Sequence, residues 1–435
     1  MESKIGVIGG LGHIGLIQAA CLAKRGYRTL AYDIDKVKIE GILKNKMPFE
    51  EPDLTELVEE AINEGSLKFT AQIEDLQEAD IIFVCVGTPS LPSGEADLSQ
   101  VFKAVLQIAL NRNRHCLVVI KSTVEVGTSR KLKEYLKENN LEGMATIAFS
   151  PEFLREGSGV KDFWKPTRII VGSETPEAGE KIANLYAPPG TPVIMTTWEN
   201  AELIKLVNNA FLSNKISFIN EIALLCEKVG ADIRIISKGI GLDPRINPYY
   251  IEAGTGFSGP CLEKDLKSLI HQFQRVQKEA KILEAVLQVN EGQRQGMVEK
   301  LQEQLGTLKD KRVGVLGMAF KENTDDVRQS HSVPIVKLLL AQGAIVTVTD
   351  PWVRSPEQGG LSESELPGVE WVSTPYEAAE GKDAILILTA WREYRELDLC
   401  KLGKAMRNPL VVDGRNIFNI DDMKAQNINY LGVGI

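Results

Sequence analysis

Cysteine is scarce in this chain: Cys21, Cys85, Cys116, Cys226, Cys261 and Cys400 are the six among 435 residues, and no two form a C-x-x-C pair. Scattered thiols of this kind exclude a disulfide framework and a zinc ribbon. Histidine is scarcer still. His13, His115, His271 and His331 stand far apart, so no metal-ligand cluster is legible and no metal is expected. Long apolar runs are missing, since none approaches the roughly 18 residues of a membrane span. The opening MESKIGVIGG has no signal-peptide layout and runs into a strand pattern, so a cytoplasmic location is expected. Positive charge is in deficit: 50 Lys and Arg against 59 Asp and Glu give a net charge of −9. Nucleic acid demands a basic face, so neither a nucleic-acid nor a membrane partner is expected.

What is present is ordinary globular composition, with 43% hydrophobic and 25% charged residues. The length exceeds the roughly 250–300 residues at which a single core stops growing. Short continuous apolar runs at 4–8, 29–32, 81–86 and 116–120 alternate with helical spacing, the pattern of a parallel sheet covered on both faces. The middle reads as helical, with runs at 201–229, 262–277 and 282–305. Strand and helix alternation then resumes and repeats the opening. The runs at 313–317, 345–350, 383–388 and 410–413 match those at 5–9, 29–33, 80–85 and 117–120 in order. The expected fold class is α/β: two Rossmann-like, doubly wound parallel-sheet domains joined by a central helical segment. Boundaries are expected at 1–199, 200–305 and 306–435.

The sequence GLGHIG at 10–15 follows the first strand and opens a helix. Gly10 permits the tight turn, Gly12 lets the backbone approach a pyrophosphate, and Gly15 allows close packing of helix on strand. Asp33 ends the next strand, where a carboxylate can bond ribose hydroxyls and repel the extra phosphate of NADP. FAD and S-adenosylmethionine folds share this pattern, so the motif alone leaves them open. The second half lacks the glycines. Its GMAFKENTDDVR at 317–328 offers Lys321 and Arg328, cations suited to a nucleoside diphosphate. Cys261 lies in GFSGPCLEKD at 256–265, a glycine-rich polar setting, whereas the other five cysteines sit in helix or strand runs and read as packing residues.

Further motifs converge. They are VGTP at 86–89, GEAD at 94–97, KST at 121–123, VGT at 126–128, SPEFLREG at 150–157, ELIK at 202–205 and NAFL at 209–212. Gly256, Phe257, Gly259 and Cys261, then Lys264 and Asp265, FK at 320–321, TDDVR at 324–328 and DGRNIF at 413–418 complete the set. In combination they resemble the UDP-glucose/GDP-mannose dehydrogenases along the whole chain. The resemblance implies NAD as cofactor, a UDP-sugar substrate and a homodimer formed through the central segment. The three segments become an NAD-binding domain, a helical dimerisation segment and a UDP-sugar-binding domain. The implied reaction is a four-electron oxidation of a sugar 6-hydroxymethyl group to a carboxylate. Glu156 and Gly157 resemble the branch acting on UDP-glucose. A UDP-N-acetylhexosamine or GDP-mannose, and a two-electron β-hydroxyacid oxidation, are the alternatives.

The resemblance also assigns roles. Cys261 is implied as the nucleophile that captures the aldehyde. Lys205 and Asn209, one helical turn apart, are implied as stabilisers of the oxyanion, and Asp265 as the acid that assists proton transfer. Thr123 and Glu152 are implied to hold the hydrolytic water, with Glu152 as base. Cofactor contacts fall on Gly10, Gly12, His13, Ile14, Gly15, Asp33, Lys38, Thr88, Thr123, Glu156, Lys264 and Arg328. Substrate contacts fall on Glu152, Phe153, Leu154, Arg155, Glu156, Lys205, Asn209, Tyr250, Ile251, Glu252, Ala253, Gly254, Ser258, Lys321 and Arg415. Arg245 is implied to reach into the partner's site. His13, Glu125, Ser258, Pro260 and Glu263 depart from the family pattern, and Ser258 lies along the implied sugar site.

Overall fold

The computed structural model describes residues 3–435. Two compact units divide the chain: the residues up to Asn208 with Lys267–Lys278, and Asn209–Leu266 with Glu279–Ile435. The first unit is built on one sheet of eight strands, β1 (Ile5–Ile8), β2 (Thr29–Tyr32), β3 (Leu67–Thr70), β4 (Ile81–Val84), β5 (Cys116–Ile120), β6 (Ala145–Phe149), β7 (Ile169–Ser173) and β8 (Val193–Thr196). Their order is β3-β2-β1-β4-β5-β6-β7-β8. The first six strands are parallel in the order of a dinucleotide-binding fold. The sequence pattern predicts parallel pairing throughout, but β6 and β7 run antiparallel. An apolar strand reads the same in either direction, so composition carries no signal for this reversal.

Burial follows the pleat. Val7, Phe83 and Val119 enter one core with the helix His13–Lys24, while Ile8, Ile82 and Val118 enter the core on the opposite face. Both faces of these strands are therefore covered, which is why their sequences run continuously apolar instead of alternating.

The second unit contains six parallel strands, β9 (Arg312–Leu316), β10 (Ile345–Thr349), β11 (Glu370–Trp371), β12 (Ala384–Ile387), β13 (Leu410–Asp413) and β14 (Asn429–Leu431). Their order, β11-β10-β9-β12-β13-β14, is the same permutation as the first six strands of the other sheet. The two-Rossmann architecture read from the repeated landmarks is present. Between the sheets in sequence come the helices Trp198–Val229, Ile233–Gly241, Leu262–Arg275 and Lys281–Leu305. The middle is less uniformly helical than its periodicity predicts. Residues 242–261 form no regular element, because Pro244, Pro248 and Pro260 remove helical donors and Gly254, Gly256 and Gly259 favour open backbone.

Candidate active site

In the first unit the glycine loop leaves β1 and enters the helix His13–Lys24. A side chain on Gly10 would meet the Ala31 Cβ at 2.7 Å, and one on Gly15 would meet the Gly9 carbonyl oxygen at 2.0 Å. Neither position tolerates a Cβ. Gly12 differs: a Cβ there would touch only the Gly9 oxygen, at 3.4 Å, so its outer side is open. Gly12 caps the helix without any side-chain hydrogen bond, which leaves amide groups pointing outward. Such an end attracts an anion. Asp33 follows β2 and is half-buried; its carboxylate accepts from the amides of Leu11 at 3.0 Å and Asp35 at 3.1 Å. The loop, the open Gly12 and the carboxylate fit a dinucleotide. Ile14 is half-buried beside them, and Lys38 is exposed, 3.9 Å from Asp35.

The second unit encloses the corresponding carboxylate more fully. Asp350 follows β10 as Asp33 follows β2. It is buried, and its carboxylate accepts from the amides of Met318 (2.8 Å) and Ala319 (3.0 Å) and from Trp391 Nε1 (3.1 Å). Burial raises its pKa. Those three donors meet one oxygen and the amides of Trp352 and Val353, each at 3.0 Å, meet the other, whereas each oxygen of half-buried Asp33 takes a single amide.

Glu152 and Lys205 meet in the first unit. Lys205 Nζ lies 3.0 Å from the Glu152 carboxylate and 2.9 Å from its carbonyl oxygen, and the Lys205 side chain is only 5% exposed. The second carboxylate oxygen of Glu152 accepts from the Leu154 amide at 2.6 Å. Breaking so buried an ion pair by removing one partner costs about 3–5 kcal/mol in comparable pairs. The Phe153 ring lies 5.4 Å from Lys205 Nζ. Thr123 and Thr88 are joined, with the Thr88 hydroxyl donating to the Thr123 carbonyl at 2.8 Å. Arg155 forms a two-pronged pair with Asp162, and Glu156 is half-buried next to it.

In the second unit Asn209 Nδ2 donates to the Asp265 carboxylate at 2.6 Å, whose other oxygen lies 2.7 Å from Lys264 Nζ. Asp265 is 1% exposed. Cys261 is exposed and directly precedes the helix Leu262–Arg275, where the positive end of the helix dipole favours negative charge. The approach to Cys261 is pinned throughout. Asn220 accepts from the Gly254 amide at 2.8 Å, and Asn290 accepts from the Phe257 amide at 2.8 Å and donates to its carbonyl at 3.0 Å. His331 Nδ1 meets the Thr255 carbonyl, and the Ser258 hydroxyl donates to the Phe320 carbonyl at 3.2 Å. A Cβ on Gly259 would strike the Phe320 ring at 2.7 Å, so the turn before the thiol requires glycine.

Asp413 shapes the loop that carries Arg415: it is buried and accepts from the amides of Arg415 and Ile417, each at 2.8 Å, and from the Tyr430 hydroxyl at 2.9 Å. Arg415 in turn donates to the Phe320 carbonyl at 3.3 Å. A cleft of about 420 Å³ is lined by Ile251, Glu252, Ala253 and Arg415 together with Lys238 and Arg395. The last two escaped the sequence reading, because no motif marks them. Tyr250 adopts a φ of 63°, Lys321 lies over the Phe320 ring at 5.7 Å, and Arg245 and Arg328 are exposed and paired with Asp243 and Asp326. Among the described residues no group of three His, Cys, Asp or Glu stands together to hold a metal ion, and no helix is long and apolar enough to cross a membrane.

Residues 3–189 match the NAD binding domain of the UDP-glucose/GDP-mannose dehydrogenase family, residues 199–292 its central domain and residues 314–420 its UDP binding domain. The chain belongs to this family. It is similar over 434 residues to the UDP-glucose 6-dehydrogenase TuaD of Bacillus subtilis, at 39% identity, covering 99% of this chain and 93% of that protein. A UDP-glucose 6-dehydrogenase of Rhizobium meliloti is 38% identical over 99% of both chains. Among solved structures, a UDP-glucose dehydrogenase from the archaeon Pyrobaculum islandicum superposes with a TM-score of 0.91 at 36% identity, covering 100% of this chain and 98% of that one. A UDP-D-ManNAc dehydrogenase from Pyrococcus horikoshii gives 0.86 at 27% identity over 99% of each. The family's NAD-dependent dehydrogenase chemistry agrees with the glycine loop and Asp33 in the first unit.

Proposed function

We propose that this dehydrogenase oxidises the 6-hydroxymethyl group of UDP-glucose to the carboxylate of UDP-glucuronate. The observation that carries the reading is the setting of Cys261: an exposed thiol at the start of a helix, on a loop fixed by buried Asn220, Asn290 and His331. Gly10, Gly12, Gly15 and Asp33 are assigned to hold NAD, which supplies the hydride acceptor for each of two oxidations. The remaining chemistry falls to side chains. The Cys261 thiolate adds to the aldehyde carbon and forms a C–S bond, giving a thiohemiacetal. Lys205 and Asn209 are assigned to stabilise its oxyanion, and Asp265, held by Asn209 and Lys264, to assist proton transfer. Loss of hydride from the thiohemiacetal leaves a thioester. Glu152 is assigned as base for the water, positioned with Thr123, that breaks the C–S bond and returns the thiol. The balance is one alcohol and one water in; one carboxylate, two hydrides and three protons out.

Arg415, Lys321, Ser258 and residues 250–254 are assigned to the nucleotide sugar. Arg155, Phe153 and Leu154 flank Glu152, while Lys38, Thr88, Glu156, Lys264 and Arg328 are assigned to the cofactor. A homodimer through the central segment and a cytoplasmic location complete the proposal. The long helix supports the dimer, because Phe211, Phe218 and Leu225 recur every seven residues and are 54–63% exposed. Arg245 is assigned to the partner's site. The test of substrate identity is kcat/KM with NAD across UDP-glucose, UDP-N-acetylhexosamines and GDP-mannose. UDP-glucose is expected to lead by at least about tenfold; a lead by GDP-mannose or an N-acetylated sugar would replace it.

A further inference from the structure

Glu51 lies outside every motif that the chemistry uses, yet its side chain is fully buried, at 0% exposure. One carboxylate oxygen accepts from the Gly159 amide at 2.7 Å; the other accepts from the Gly157 amide at 2.7 Å and lies 3.1 Å from His13 Nε2. A buried carboxylate is retained at a desolvation cost unless its oxygens are filled with short, charge-assisted bonds, and here both are. The three groups it joins come from separate places in the chain. His13 is the first residue of the helix behind the glycine loop, and its ring stacks on Phe49 with centroids 4.6 Å apart. Gly157 and Gly159 follow the segment 150–156 that leaves β6 and carries Glu152 and Glu156. The fit on that side is close. Gly157 has a φ of 73°, and a Cβ on Gly159 would meet Ile17 Cδ1 of the dinucleotide helix at 2.5 Å. Both joined segments leave the carboxyl ends of β1 and β6, which belong to the six parallel strands of the sheet, where ligands of such folds bind.

We propose that Glu51 is a positioning residue for the cofactor, tying the start of the dinucleotide helix to the segment that carries Glu152 and Glu156. This rests on the reading of the glycine loop as the NAD site. Through His13 and Gly157, Glu51 sets the separation of the two walls between which the cofactor is held. Gln at this position keeps the shape but presents an NH2 group to one of the two backbone amides, so the segment that follows β6 loses one of its two bonds to this side chain.

The experiment is NAD affinity of the full-length protein by titration calorimetry, for wild type, Glu51→Gln, His13→Phe and the double variant, with UDP affinity measured on the same samples. Glu51→Gln is expected to weaken NAD binding by about tenfold, the scale of one lost charge-assisted bond, while UDP affinity stays within about two-fold. The double variant is expected to be no weaker than the weaker single variant, because both substitutions break one link. Should Glu51→Gln fail to fold, Glu51→Asp, which keeps the charge and withdraws it by one methylene, takes its place with the same expectation. Unchanged NAD affinity in a folded Glu51 variant, strictly additive losses, or an equal loss of UDP affinity would overturn the proposal. The readout is binding, so failure of UDP-glucose as a substrate would leave this test standing.

Discussion

A thiol attacks only as a thiolate, so burial sorts the six cysteines before any motif does. Burial pushes Cys21 and Cys85 up to about 12 and Cys116 up to about 11, and Cys226 is 2% exposed. Cys400 does not fit the packing role expected for it: it lies in the short helix Leu399–Ala405 and is exposed. It is therefore the natural control. Cys261→Ser is expected to lower steady-state turnover by at least about 100-fold, because a hydroxyl is far less acidic than a thiol. Cys400→Ser is expected to stay within about two-fold. Near-normal turnover in a folded Cys261→Ser protein would remove the covalent step. A second residue-scale expectation concerns His331, whose pKa is lowered from 6.5 to about 3, chiefly by burial and secondarily by Arg294. The unfolded chain takes up a proton that the folded chain refuses, so this group's contribution to stability is complete above the unfolded pKa and is lost as pH falls towards the folded one. His331→Gln should flatten the fall of Tm between about pH 6.5 and 4.5; the same slope in both proteins would contradict it. Cys261 was legible because glycines and charges in sequence surround it. Glu51, Asn290 and His331 were not, since their partners lie 106, 33 and 76 residues away.

Elements show where local pattern suffices and where it fails. The two Rossmann-like domains were legible from the repeated apolar runs, yet Asp33 and Asp350, alike in sequence, differ in what fills their oxygens. Leu11 and Asp35 leave Asp33 half-buried, whereas Met318, Ala319 and Trp391 enclose Asp350. Trp391 lies 41 residues from Asp350, a contact that no window of sequence contains. The antiparallel β7 escaped the pattern because direction leaves no compositional mark, while the loop 242–261 interrupts the helical middle at its own prolines and glycines. The long helix Trp198–Val229 has the clearest consequence at this scale. Its exposed Phe211, Phe218 and Leu225 recur at seven-residue spacing along the helix. Phe218→Asp is expected to shift the proposed dimer towards monomer in light scattering at micromolar concentration, with the far-UV spectrum retained. A monomeric wild type, or a dimer indifferent to Phe218→Asp, would contradict the stripe's role.

At the scale of the molecule, two related sheets have been given different ligands. The first keeps the open glycine turn and the half-buried carboxylate of a dinucleotide site, while the second offers cations, with Arg415 held by the loop that Asp413 organises. Such a division suits an enzyme that must hold one nucleotide sugar through two oxidations while the other nucleotide is used twice. Aldehyde release between the steps would waste the first oxidation, and the covalent link proposed at Cys261 would prevent it. The most direct measurement is therefore the stoichiometry of UDP-glucose oxidation, with NADH followed by absorbance and sugar products by mass spectrometry. Two NADH are expected for each UDP-glucose consumed, with UDP-glucuronate as the sole product and no free aldehyde. One NADH for each sugar, with the aldehyde accumulating, would contradict this.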